Sequence, residues 1–255
     1  MAITRRALLI SNPGETGQEN YCKGVYVDIK NYQRLLTSSE GGAWEESEIK
    51  HLDRPTASDV RAWLTIFSVY DYVFVMFTGH GWYSTADRDR ILELKKGEQI
   101  ASIELIKGAK RRTVILDCCQ KEHPESLREK TAARLTAFSA EAVRTADRAA
   151  CRKLFLDGIQ NSPESIVKLT SCSISEVSTD DETRGGRYNG SLIECVDDWF
   201  QAQAKNQFAR GGSLLSTVRA HECAAVKTRE LSANKQNPTI EKPRTEPYFP
   251  IAVFA

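Results

Sequence analysis

No apolar run in this 255-residue chain approaches the ~20 residues needed to cross a bilayer, so no membrane span is expected. No block of lysine and arginine stands out. The 35 basic and 34 acidic residues nearly cancel, to a net charge of +1, and aromatics do not interleave with the basic residues. Such a balance carries no electrostatic footprint for nucleic acid or for an anionic surface. The seven cysteines (22, 118, 119, 151, 172, 195, 223) are odd in number and scattered, without a C-x-x-C pair or a cysteine–histidine cluster. Neither a disulfide framework nor a zinc site is therefore expected, and reduced thiols in a cytoplasmic setting fit best. A G-x-S-x-G nucleophile elbow is missing, as is a phosphate-binding glycine loop, which disfavours an α/β hydrolase and a nucleotide enzyme. The opening "MAITRRALLISNPG" is too brief for a signal h-region, lacks a small-residue cleavage site, and reads as a first strand.

What is present alternates between short apolar runs and longer amphipathic ones. "ALLIS" (7–11) predicts a strand, and Val25, Ile29, Tyr32, Leu35 and Leu36 then recur at helical spacing. "SEIKHL" (47–52) is a weaker strand, and Thr56 with Asp59 forms a capping box that opens the next helix. "YVFVMF" (72–77) and "TVILDCC" (113–119) are uninterrupted runs of the kind buried on both faces of a parallel sheet. "ILELKKGEQI" (91–100) suggests a hairpin. Residues 121–160 are charged, basic and helix-prone, and "SIVKLTSC" (165–172) brings back a strand. "DDETRGGRYNG" (180–190) is polar and glycine-rich, which predicts a mobile loop. Helical patterns fill 191–208 and 213–230, and "PYFPIAVF" (247–254) closes as a strand. Together these predict one α/β domain spanning 1–255, with the 121–160 stretch as a helical insertion. Its architecture is a three-layer α/β/α sandwich around a mostly parallel sheet of about six strands.

In such sheets, functional groups collect at the carboxyl ends of strands. Two strands here end in reactive side chains, one in His80 and the other in Cys119, far enough apart in sequence for a crossover to bring both ends to one edge. An imidazole draws a thiol toward thiolate and then protonates the leaving amine. Gly79 and Gly81 flank His80 and let the backbone approach a substrate, and the N–H groups of Gly81 and Cys119 could form an oxyanion hole. Strand alternation separates the paired cysteines. Val114, Leu116 and Cys118 share one face, whereas Ile115, Asp117 and Cys119 share the other. His51, His123 and His221 have no comparable setting and are expected to be surface or structural residues. Trp82, beside the His80 turn, is placed to flank a substrate.

At these residues the chain resembles the caspase-like cysteine peptidases, the clan of caspases, metacaspases and their bacterial relatives. "TGHG" is similar to their histidine motif, "ILDCCQ" to the D-x-C at the nucleophile, and "YCKGVYVD" to the early G-x-x-x-D element. "LTSCS" and the glycine-rich stretch after it resemble the cleft-lining strand and loop, and "KQNPT…YFPIAVF" resembles the usual ending of bacterial members. One departure follows the nucleophile, where Gln120-Lys121 replaces the family's His-Ser-Gly or Arg-Gly. The resemblance implies the caspase-haemoglobinase-like fold and assigns Cys119 as nucleophile and Cys118 as packing. Asp117 stands where Arg/Lys-cleaving relatives carry aspartate and Asp-cleaving caspases glutamine, and Asp28 falls at the second carboxylate of the acidic pocket. Asp180 is a third substrate-binding candidate. The implied activity is cleavage of a protein or peptide after arginine or lysine, with no cofactor and no metal. Some relatives require calcium, but the acidic loop that holds it is not identifiable here. The resemblance also implies an upstream activating protein in a bacterial stress or antiviral pathway, and activation by cleavage within 121–148. The alternative is a non-catalytic caspase-like interaction module.

Overall fold

The computed structural model describes residues 3–118, 147–205 and 212–255. Along the chain, β1 (Arg5–Asn12) leads to α1 (Val25–Thr37), β2 (Ile49–Asp53), α2 (Ala57–Ile66) and β3 (Tyr72–Gly79). Three short strands follow, β4 (Gly81–Ser84), β5 (Asp89–Lys95) and β6 (Glu98–Ala101), and then β7 (Arg111–Asp117). After the first break in the description come α3 (Arg148–Asn161), β8 (Ile166–Thr170), β9 (Asp180–Asp181), β10 (Gly185–Gly186) and α4 (Arg187–Lys205). The chain closes with β11 (Ser213–Ser216), α5 (Thr217–Leu231), β12 (Thr239–Glu241) and β13 (Pro250–Phe254).

The central sheet has six strands in the order β12-β8-β7-β3-β1-β2. All neighbours are parallel except β12, which runs antiparallel to β8. Burial on both faces explains the continuous apolar runs. Leu8, Ile10, Val73, Val75, Phe77, Val114 and Leu116 point to the α2 side, while Ala7, Leu9, Phe74, Met76 and Ile115 point to the side of α1, α3, α4 and α5. Each such Leu, Ile or Phe, wholly removed from water, stabilises the fold by ~1.5–3 kcal/mol. The predicted stripe of α1 is buried as one face, and the predicted capping box closes α2, with Asp59 N–H donating to Thr56 Oγ1 at 3.1 Å and Thr56 N–H to Asp59 Oδ2 at 2.9 Å. On the α2 side the outer layer is completed by the antiparallel sheet β4-β5-β6, which contains the predicted hairpin.

Several expectations are corrected. The 180–190 stretch is an ordered element, since Gly185 and Gly186 are buried, pair with Asp180 and Asp181, and run straight into α4. Residues 213–216 form a strand ahead of the helix, and β13 pairs antiparallel with that strand outside the central sheet. Cys195 and Cys223 form a disulfide, against the expectation of reduced thiols throughout. Packing of α4 on α5 brings their Cα atoms to 6.1 Å, inside the range a disulfide spans, and no sequence spacing announces such a meeting. Of the 121–160 insertion, the described part is Asp147 and α3 up to its last residue but one. Its Arg152 clasps Glu48 at 2.8 Å, and Glu48 also pairs with the buried Arg5 at 3.3 Å. No described helix is long and apolar enough to cross a membrane.

Candidate active site

His80 follows β3 at the carboxyl edge of the sheet, and it does so because Gly79 bends the strand end. Gly79 adopts φ 146°, and a Cβ there would lie 2.3 Å from Asn12 O, so the sharp exit requires glycine. The imidazole is half-buried against the loop that follows β1. A Cβ on Gly14 would sit 2.8 Å from His80 Nε2, and Cys22 Sγ lies 3.8 Å from the same nitrogen. Gly81 then opens β4 directly over the end of β7, where an added Cβ would come within 3.0 Å of Cys118 Sγ. Gly81, which follows His80, therefore lies against Cys118, just past the end of β7. Cys119 itself lies outside the described residues, as does His123. Cys118 is 1% exposed and packs with Val114 and Leu116, on the face that alternation predicts.

Beside this edge the structure brings Asp28 and Asp117 together. Asp28 comes from the first turn of α1, and Asp117 ends β7 opposite Thr78 of β3. Their exposures are 1% and 4%. Asp28 Oδ2 accepts from Thr78 Oγ1 at 2.7 Å and from Asn189 Nδ2 at 2.9 Å, while its Oδ1 accepts from Gly186 N–H at 2.9 Å. Asp117 Oδ2 accepts from Asn189 N–H at 3.1 Å, and Ser178 Oγ donates to its Oδ1. The backbone of β10 lies against both. A Cβ on Gly185 would meet Asp28 Oδ1 at 2.1 Å, and one on Gly186 would meet Asp117 Oδ2 at 2.3 Å. Burial, and then the charge of Asp117, pushes the Asp28 carboxyl up to about 8. Burial raises Asp117 as well, against the pull of its own hydrogen bonds. In the free protein the pair therefore retains a proton at neutral pH instead of presenting two full negative charges.

Asp180 is not part of that hydrogen-bonded pair. It is exposed, and its Oδ2 accepts from Gly24 N–H at 2.8 Å, which ties β9 to the start of α1. Its charge is close enough to help raise Asp117. Trp82 is half-buried on β4, opposite Ile91. His221 is structural, as expected, but buried, with Nδ1 2.7 Å from the Tyr188 hydroxyl. Sequence reasoning missed Cys22, Thr78, Ser178 and Asn189. For Asn189 a signal existed in retrospect: a polar amide three residues after a glycine pair, at the opening of a long amphipathic helix. Among the described residues, no group of three or more His, Cys, Asp or Glu side chains could hold a metal ion.

A family model described as the caspase domain matches residues 4–249. The chain belongs to the caspase domain family. In fold, this caspase domain is similar to caspase-1 from Spodoptera frugiperda, whose crystal structure aligns with a TM-score of 0.55 at 11% sequence identity. The alignment covers 94% of this chain and 86% of that one. A comparison with curated proteins gives no match. Family membership makes the domain one of the cysteine-peptidase kind, for which the substrates are proteins.

Proposed function

We propose that this caspase domain is a cysteine endopeptidase that cuts after arginine or lysine, with Cys119 as nucleophile and His80 as its base. The observation that carries the reading is the meeting of Asp28 and Asp117 at the strand end immediately before Cys119. The Cys119 thiol gives its proton to His80, and the thiolate so formed attacks the scissile carbonyl. The N–H groups of Gly81 and Cys119 stabilise the oxyanion, and the imidazolium returns the proton to the leaving amine. Water then attacks the thioester, with His80 as base, and releases the carboxylate product and the thiol.

The guanidinium or ammonium of the residue before the cut is received by Asp28 and Asp117. Its arrival displaces the proton that the pair retains, which leaves to solvent. Entry requires the Gly185–Gly186 backbone to withdraw from the carboxylates, because that segment rests against them in the free protein. One ion pair at ~4 Å with an effective dielectric of ~20 has a Coulomb term of ~4 kcal/mol, and desolvation takes back part of it. A remainder of ~2–3 kcal/mol corresponds to ~30- to 150-fold in rate.

The test is a peptide panel varied at the residue before the cut and read as kcat/KM, together with a thiol-directed active-site probe. Preference for Arg and Lys by ~30-fold or more, lost in Asp28→Ala and Asp117→Ala, supports the reading. Preference for Asp sinks it, as does Arg cleavage indifferent to both substitutions. A protein that neither cleaves nor labels is an interaction module instead of a peptidase.

A further inference from the structure

The acidic pair is held from one side by a single residue that touches both carboxylates with different groups. Asn189 is fully buried in the first turn of α4. Its side-chain Nδ2 donates to Asp28 Oδ2 at 2.9 Å, and its backbone N–H donates to Asp117 Oδ2 at 3.1 Å. The Tyr32 hydroxyl donates to Asn189 Oδ1 at 3.0 Å. That last bond fixes which way the amide faces. Rotated by half a turn, Asn189 would set its oxygen against the carboxylate and leave the Tyr32 hydroxyl facing an N–H donor. The amide is thus held with its donor edge toward Asp28.

The backbone at this position adds a second effect. The amino end of a helix leaves its first N–H groups without intrahelical partners, and the helix dipole there favours negative charge. In this 19-residue helix, Asn189 N–H is spent on Asp117, and Gly186 N–H, just before the helix, on Asp28. The amino end of α4 therefore addresses both carboxylates, and Asn189 orients one of them with its side chain while the other depends on its main chain. A substitution at 189 consequently removes an arm to Asp28 and leaves the arm to Asp117.

We propose that Asn189 is the positioning residue that orients Asp28 for the cationic side chain of the substrate, a role that rests on the pocket reading above. It touches neither the reacting carbonyl nor the thiol. Its loss should therefore appear in recognition of the positive charge and leave the chemical step unaltered. A hydrogen bond to a charged group contributes enough for ~10-fold in affinity.

The experiment compares wild type, Asn189→Ala and Tyr32→Phe on two peptides that differ only in arginine or its neutral isostere citrulline before the cut. The rate of alkylation of the nucleophile by iodoacetamide is measured alongside. In Asn189→Ala the arginine-over-citrulline ratio of kcat/KM is expected to fall ~10-fold, through KM for the arginine peptide, with kcat and alkylation within twofold of wild type. Tyr32→Phe removes one oxygen and leaves the amide without its brace, and a fall of ~3-fold is expected there; it decides the question if Asn189→Ala does not fold. A wild type that prefers arginine while both variants keep its ratio overturns the assignment of Asn189 alone. Loss in kcat with KM unchanged overturns it as well. A wild type that shows no preference for arginine overturns the pocket reading, and this assignment with it.

Discussion

Replacing Asp28 by asparagine should change how stability depends on pH, in a direction that follows from the burial of the pair. Asp28 titrates at about 8 in the folded protein, against an ordinary carboxyl value of 3.8, because burial and the neighbouring Asp117 disfavour its charge. Between those values the folded state holds a proton that the unfolded chain has lost, so unfolding releases it. Stability then falls as pH rises, by ~1.4 kcal/mol per unit where the difference is a full proton. His221 acts in the opposite sense. Burial lowers it to about 4, so stability is regained as pH climbs from there toward the ordinary histidine value of 6.5. At pH 6.5 the unfolded histidine is still half protonated, so His221 returns a further ~0.4 kcal/mol by pH 8, and the carboxyl pair dominates the window from 6.5 to 8. Half-titration at the upper limit reduces the pair's own loss across this window to ~1.6 kcal/mol. The assay is urea unfolding at pH 6.5, 7.25 and 8 at constant ionic strength, for wild type and Asp28→Asn. Wild type should lose ~1.2 kcal/mol net, and the variant less than half of that. Altered hydrogen bonding to Thr78, Asn189 and Gly186 shifts the variant's stability by a constant, which does not affect the slope. A wild type whose stability is flat or rises across the window, or a variant with an identical slope, refutes the reasoning.

Cys119→Ala and His80→Ala should each abolish peptide cleavage, whereas Cys118→Ala, which trims a side chain packed in the apolar cluster, should retain much of it; loss confined to Cys118→Ala would reverse the assignment. The Cys195–Cys223 bridge closes a separation of 28 residues, so Cys195→Ala/Cys223→Ala, or reduction, should cost ~3–4 kcal/mol and lower Tm by ~7 °C or more in a chain of this length. Identical melting with and without reductant would show that the bridge contributes nothing. If activation proceeds by self-cleavage, mass spectrometry should find cuts after Lys121, Arg128, Lys130, Arg134 or Arg144. Arg148 should be spared, since it opens α3 with its guanidinium bonded to the carbonyls of Thr37 and Trp44. Active protein that stays one chain on a denaturing gel removes self-cleavage from the mechanism.

Elements governed by a single period were legible in the sequence. β3 reads as Tyr-Val-Phe-Val-Met-Phe because both its faces meet apolar layers, and the α1 stripe reads because one face does. His80 between its glycines was legible as well, since Gly79 records a backbone bend that no other residue tolerates so close to Asn12. The glycines at 185 and 186 were misread, because a glycine pair in polar company has the composition of a loop. What makes them obligatory is two carboxylates from distant segments, and local composition does not register what the backbone packs against. Asn189 escaped notice for the same reason, two of its partners, Asp28 and Tyr32, coming from α1 and the third, Asp117, from β7. The disulfide follows from the packing of α4 on α5, a tertiary fact with no counterpart in the spacing of the cysteines.

The Gly185–Gly186 backbone over the acidic pair also sets a limit on affinity. A ligand that needs the carboxylates binds the fraction of molecules in which this segment has moved aside, so its apparent dissociation constant is the intrinsic one divided by that fraction. If one molecule in ~100 is open, binding is ~100-fold weaker than the contacts alone would give. The segment has no side chain of its own to anchor it. Its described ties are the Gly186 N–H bond to Asp28 and the short pairing with Asp180 and Asp181. Anything that shifts this two-residue strand, whether a partner protein bound nearby or a substitution in β9, would change the binding of every ligand that needs the two carboxylates at once, without touching the imidazole.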